Sequence, residues 1–257
     1  MSRSPLWANW SDAGMYDTPR FLNAGDSALV VEFGDAIDAE TNHEVHKLAG
    51  RLDKQSIPGL VELIPTYRSL LVSFDPMITT YEDIHKTIAD SDEENTDNAK
   101  SAVRIVKIPT LYSEERGPDL EFVAENAGVT VDEVISIHSG TDYLVYMMGF
   151  APGFPYLGGL DERLATPRLQ SPRVEIPAGS VGIAEGQTGV YPIASPGGWR
   201  LIGRTPLVLF DPHTNPPTVI NAGDYVRFVP MGSEGEYADI QRTVESGEYT
   251  VSTETKT

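Results

Sequence analysis

Glycine and proline interrupt residues 143–212 every few positions. Proline fixes φ and removes a backbone donor, and glycine weakens the interior of a helix or strand. No long helix and no long continuous strand can form there. Short β-prone runs lie between the interruptions, at 143–148, 180–183, 190–193 and 207–210, with another at 225–229. Short strands separated by turn residues at this spacing predict a barrel or sandwich.

The preceding half reads differently. Residues 27–33 (SALVVEF) predict a strand, and 38–52 predict an amphipathic helix capped by Asp38, with Ile37, Val45, Leu48 and Leu52 recurring at helical spacing. Strands at 60–66 and 69–74 follow, then a helix at 80–89. The order β-α-β-β-α predicts a small ferredoxin-like sandwich. Residues 103–108 offer one more strand, either closing that unit or opening the next. Residues 90–100 (DSDEENTDNAK) are acidic and almost free of apolar side chains, which predicts a linker. Beyond it, 118–126 and 130–138 predict helices, the second with a Thr130–Glu133 capping box.

The expected organisation is therefore α+β in two domains. A flexible arm spans 1–19, a ferredoxin-like domain 20–90, an acidic linker 91–101, a β-barrel domain 102–232 and an acidic, frayed tail 233–257.

Composition narrows the function. The net charge of −19 argues against nucleic acid or an anionic membrane as partner, since both require a basic patch. The acidic residues are dispersed from Asp12 to Glu254 and lysine occurs only six times, a pattern expected of a protein adapted to high salt. The absence of cysteine excludes disulfides, thiolate metal sites and a cysteine nucleophile, and fits a cytoplasmic protein. Residues 1–20 hold Trp7 and Trp10 but no apolar run, so no signal peptide is expected. No stretch approaches the roughly 18 apolar residues of a membrane span.

Three motifs lie in the interrupted stretch. In GFAPGFPYLGG, Gly149, Gly153, Gly158 and Gly159 permit unusual backbone angles, and the loop presents Phe150, Phe154 and Tyr156. In PAGSVGIAEGQTGVY, Gln187 is flanked by glycines, including Gly189, and its amide can donate and accept at once. In SPGGWRLIGRTP, after Gly198, Trp199 supplies an apolar wall, while Arg200 and Arg204 supply planar forks suited to carboxylate or phosphate. Arg163, Arg168 and Arg173 add positive charge. His138 closes a helix and is a candidate acid, base or donor. The other histidines form no ligand set apart from His43 and His46 at i, i+3, so no metal site is expected. Neither G-x-x-x-x-G-K-[ST] nor G-x-S-x-G occurs, which leaves a standard phosphate loop and a simple hydrolase triad unsupported.

The runs at 143–159 (YLVYMMGFAPGFPYLGG), 165–172 (ATPRLQSP), 174–189 (VEIPAGSVGIAEGQTG) and 195–212 (SPGGWRLIGRTPLVLFDP) together resemble the family of B-type 5-oxoprolinase subunits. Gly25 to Leu29, Asn42 and Pro65 to Leu70 carry the likeness into the first half. The same family includes proteins called allophanate hydrolase subunit 1 and a histidine-kinase inhibitor.

The resemblance implies a cyclophilin-like second domain and a role in ATP-dependent opening of 5-oxoproline to glutamate. Partners would be a related barrel subunit (C type) and a third subunit (A type), with ATP bound by or shared with them. Relatives in urea carboxylase imply a carboxyltransferase alternative, and the kinase inhibitor a binding alternative. In amide or ureido activation, charge grows on a carbonyl oxygen, and fixed donors lower that barrier. The resemblance directs attention to His138, Gln187 and Arg204 as such donors, with Tyr191 in support. Arg173 or Arg200 would hold a substrate carboxylate.

Overall fold

The computed structural model describes residues 14–91 and 103–256, and the chain divides into two compact units, 1–100 and 101–257. Most of the expected acidic linker lies outside the described residues.

The first unit contains β1 (Met15–Asn23), β2 (Ala28–Gly34), α1 (Ala39–Asp53), β3 (Leu60–Pro65), β4 (Ser69–Phe74) and α2 (Tyr81–Ser91). Its sheet is antiparallel with order β1-β2-β4-β3. Asp38 caps α1 by accepting from the Thr41 amide at 2.8 Å. Val45, Leu48 and Leu52 then pack on Leu29, Val31 and Leu70 of the sheet. Each such buried aliphatic side chain contributes about 1.5–3 kcal/mol. The buried Asn42 donates to the carbonyls of Thr66 and Tyr67 at 3.0 and 3.2 Å, holding the β3–β4 turn against the helix.

Two expectations change here. The fourth strand of this sheet is β1, from a segment expected to be partly a loose arm. Residues 15–19 belong to that strand, which pairs with β2. The run at 103–108 instead opens the second unit, because its Val and Ile side chains are buried there.

The second unit contains β5 (Val103–Thr110), α3 (Leu120–Ala127), α4 (Val131–Ser139), β6 (Tyr143–Met148), β7 (Pro155–Gly158), β8 (Arg173–Ile176), β9 (Ser180–Ala184), β10 (Gln187–Val190), β11 (Ser195–Gly197), β12 (Arg200–Arg204), β13 (Tyr225–Pro230), α5 (Glu234–Glu245) and β14 (Thr253–Lys256). Eight strands form one sheet in the order β12-β9-β10-β7-β6-β13-β5-β14, with β13 and β5 parallel, while β11 and β8 form a separate pair. The large sheet curls into a half-barrel. Leu111, just after β5, exchanges two backbone hydrogen bonds with Arg204 on β12, at 2.9 and 3.0 Å. Helices α3 and α4 cover the core through Val123 and Val134, which join Val106, Ile108, Leu157 and Phe228. The capping box expected at Thr130 and Glu133 is present.

The segment expected as a frayed tail is ordered. Ser233 caps α5, and Tyr237 is buried on its inner face, while Ile240 and Val244 pack at the edge of the core. β14 then pairs with β5. The apolar residues at 237, 240 and 244 share one helical face, a spacing that the surrounding acidic residues obscure in the sequence.

Candidate functional site

The three glycine-rich motifs meet around Phe154. Its ring lies 5.4 Å from those of Phe150, Tyr156 and Tyr191 and 5.7 Å from that of Trp199, each edge-on. Such pairs favour fixed ring positions beyond simple burial. Gly189 makes this packing possible, because a Cβ there would lie 3.1 Å from Trp199 and 3.3 Å from Phe154. Gly153 has φ +78°, and Gly158 faces Tyr146, where a Cβ would stand 1.9 Å from its ring. Gly149 and Gly198 have no neighbour closer than 3.5 and 3.6 Å, so close packing does not require glycine at either.

Phe150 has φ 65° and is 66% exposed. A bulky residue in this left-handed conformation costs on the order of 1–3 kcal/mol, and such residues cluster at functional sites. It stands at the open side of the aromatic cluster.

The arginines expected to bind a substrate carboxylate are engaged elsewhere. Asp119 lies 2.9 Å from Arg173 Nη2 and 3.6 Å from Arg200 Nη1, and its Oδ2 accepts from the Leu201 amide at 2.7 Å. Arg173 also donates to the Trp199 carbonyl and Arg200 to the Pro167 carbonyl, and the Arg200 guanidinium covers the Phe122 ring at 3.7 Å. Asp119 opens α3 but makes no side-chain capping bond, since its carboxylate faces the arginines instead. The sequence marks it only as an acid before a helix, so its role as their common partner could not be read there.

His138 is also placed differently from expectation. It is fully buried, and its ring packs 4.7 Å from that of Phe228. Thr188 donates its hydroxyl proton to the Gly182 carbonyl at 3.0 Å and therefore accepts from His138 Nε2 at 2.8 Å. That assigns the proton to Nε2 and leaves Nδ1 to accept from the Tyr112 hydroxyl at 2.8 Å. Burial lowers the His138 pKa to about 3, so the ring is neutral at ordinary pH. A sealed, neutral histidine with both nitrogens engaged holds the core and does not touch a substrate.

Gln187 and Arg204 do not converge. Gln187 pairs with Ala184 at one end of β9, and Arg204 pairs with Ser180 at the other. Four residues of strand separate them by about 13 Å. Arg204 Nε donates to the Ala178 carbonyl at 2.8 Å.

Tyr191 remains at the cluster. It is 2% exposed, and its hydroxyl makes no hydrogen bond among the described residues. Burial raises its pKa to about 12, while the Arg168 and Arg173 charges oppose the rise. Ser195 contributes a second unpartnered hydroxyl, its Oγ being buried without a hydrogen bond. Ser195 does not stand out in the sequence, where it only opens the third motif. Among the described residues no group of three or more His, Asp or Glu is placed to hold a metal.

Residues 19–220 match the family described as carboxyltransferase domain, subdomain C and D. The chain is 48% identical over 227 residues to the B-type 5-oxoprolinase subunit of Bacillus subtilis (strain 168), covering 83% of this chain and 92% of that one. The protein of the same name from Escherichia coli O157:H7 is 42% identical over 208 residues, 80% of this chain and 94% of the relative. Among solved structures, the urea carboxylase of Kluyveromyces lactis shares the fold with a TM-score of 0.73 at 22% identity, over 95% of this chain and 25% of that one. By the extent of these matches, the chain belongs to the carboxyltransferase subdomain C and D family, together with the B-type 5-oxoprolinase subunits.

Proposed function

We propose that the protein is one subunit of an ATP-dependent 5-oxoprolinase complex, contributing half of a cleft that activates the cyclic amide. The observation that carries this reading is the 48% identity to a relative of that name, spanning 92% of its length. The aromatic cluster around Phe154 suits the reading chemically, because apolar walls strengthen hydrogen bonds aimed at a carbonyl oxygen as it gains charge. Tyr191 lies on that wall and keeps its proton at neutral pH.

ATP is the co-substrate of this reaction, and without a G-x-x-x-x-G-K-[ST] loop in this chain its site is unconventional, shared or on a partner subunit. The partners are a related barrel subunit and a third subunit, and the expected setting is the cytoplasm. Among the described residues no helix is long and apolar enough to cross a membrane.

Co-expression with candidate partner subunits tests the proposal, with ATP hydrolysis measured at several salt concentrations. Hydrolysis that depends on 5-oxo-L-proline and on all subunits is the expected result, and its absence in every partner combination defeats the reading. A relative named urea amidolyase from Saccharomyces cerevisiae is 24% identical over 91% of this chain, although over only 14% of its own length. It motivates urea as the competing substrate in the same assay.

A further inference from the structure

The molecule is acidic, yet two arginines of the second unit, Arg168 and Arg204, lie against no carboxylate among the described residues. Arg104, Arg116, Arg163, Arg173, Arg200, Arg227 and Arg242 each lie against a carboxylate. Arg204 is held by the Ala178 carbonyl. Arg168 is exposed and has neither a carboxylate nor a hydrogen-bond partner among the described residues. An unpaired cation in a chain of net charge −19 calls for an explanation.

Its position is defined by its neighbours. The Leu169 amide donates to the Gly198 carbonyl at 2.8 Å, and Arg200 donates to the Pro167 carbonyl at 3.1 Å. Residues 167–169 therefore run beside 198–200. In the β11–β8 pair, Gly197 faces Arg173 and Ser195 faces Ile176. A Cβ on Gly197 would lie 2.6 Å from the Tyr191 hydroxyl and 2.7 Å from Ile176 Cδ1, so only glycine leaves that hydroxyl clear. The Ser195 hydroxyl, buried without a partner, and the Tyr191 hydroxyl thus border the same short strand pair beside which Arg168 lies.

Burying a polar atom without a partner costs free energy, so the Ser195 Oγ left in this state calls for an explanation such as a ligand. Both hydroxyls can donate to an oxygen. The charges of Arg168 and Arg173 both oppose the rise in the Tyr191 pKa that burial imposes. The Arg168 guanidinium suits a carboxylate.

We propose that Arg168, Tyr191 and Ser195 form the substrate-recognition site, with Arg168 taking a carboxylate and the two hydroxyls donating to the amide carbonyl oxygen of a small carboxylate-bearing amide. This inference rests on the reading given under Proposed function and assigns its substrate site. It moves carboxylate recognition from Arg173 and Arg200, which share Asp119, to Arg168.

The test compares the variants R168A, R168K, Y191F and S195A in the reconstituted complex. None of the four removes a hydrogen bond made within the described structure, and thermal melts check that each variant folds. For 5-oxo-L-proline, R168A is expected to raise KM by about tenfold or more, with partial rescue by R168K. Y191F and S195A are expected to lower kcat by about 10- to 100-fold with a smaller change in KM. If R168A, Y191F and S195A all stay within twofold of the parent kcat/KM, the site assignment is overturned while the proposed function stands. A parent complex inert toward 5-oxo-L-proline defeats the proposed function instead. The site is then decided by ligand-observed NMR of the purified protein with 5-oxo-L-proline, and with 2-pyrrolidinone, which lacks the carboxylate. A 5-oxo-L-proline signal lost in R168A sustains the site, and a signal that is absent or independent of Arg168 overturns it.

Discussion

Two polar clusters in the second unit differ in how completely they satisfy themselves. In the first, Tyr112, His138, Thr188 and the Gly182 carbonyl form a closed chain in which each donor has an acceptor. In the second, the Ser195 hydroxyl is buried without a partner, near the Tyr191 hydroxyl and an arginine without a counter-ion. The first contains the residue type most often associated with catalysis, yet it is sealed and neutral. The second contains residue types that attract less attention, yet it is chemically incomplete. An unmet hydrogen-bonding requirement therefore marks a candidate site better than the identity of a side chain does.

The largest effect is expected in the closed chain. H138A leaves the Tyr112 and Thr188 hydroxyls without their partner and opens a cavity, and should cost about 3–5 kcal/mol in urea unfolding. A loss below about 1 kcal/mol would show that the chain is not structural. Next, D119A leaves Arg173 and Arg200 facing each other without a counter-ion and removes the acceptor of the Leu201 amide. It should cost about 2–4 kcal/mol, read from the same unfolding curves.

A pH series probes the closed chain without mutation. Unfolded, His138 takes up a proton as pH falls through 6.5, whereas folded it stays neutral down to about 3. The unfolded state binds the additional proton within that window, so stability falls as pH falls. The slope approaches about 1.4 kcal/mol per pH unit between pH 6 and 5, where most carboxylates remain ionised. H138Q should flatten this part of the profile. The smallest effect belongs to the open cluster. Y191F and S195A remove no hydrogen bond and should change stability by no more than about 0.5 kcal/mol. A larger loss from either would reveal a structural partner and close the gap between the two clusters.

Much of the fold was legible locally. Asp38 as a cap, the inner face of α1, the Thr130–Glu133 capping box and the strands at 143–148, 180–183 and 225–229 follow from patterns within a few residues, whereas the run at 207–210 forms no strand and that at 190–193 meets β10 only at Val190. The Gly/Pro-rich motifs also meet as a group, because their residues pack around one ring, that of Phe154. The elements misread as arm and tail failed for a common reason. β1 and β14 are strands whose partners lie on other segments, β2 and β5, and short polar strands carry little local signal.

The family, the order of most elements, the absence of thiol chemistry and the acidic charge that makes an unpaired arginine meaningful are all written in the residues themselves. Which arginine that is depends on the folded chain. Folding also sealed His138 in the core, separated Gln187 from Arg204 along β9 and left the buried Ser195 hydroxyl unanswered. Local backbone preference acts over a few residues and can be read from them. Charge pairing and hydrogen-bond satisfaction, by contrast, depend on which distant segments the register and burial bring into reach.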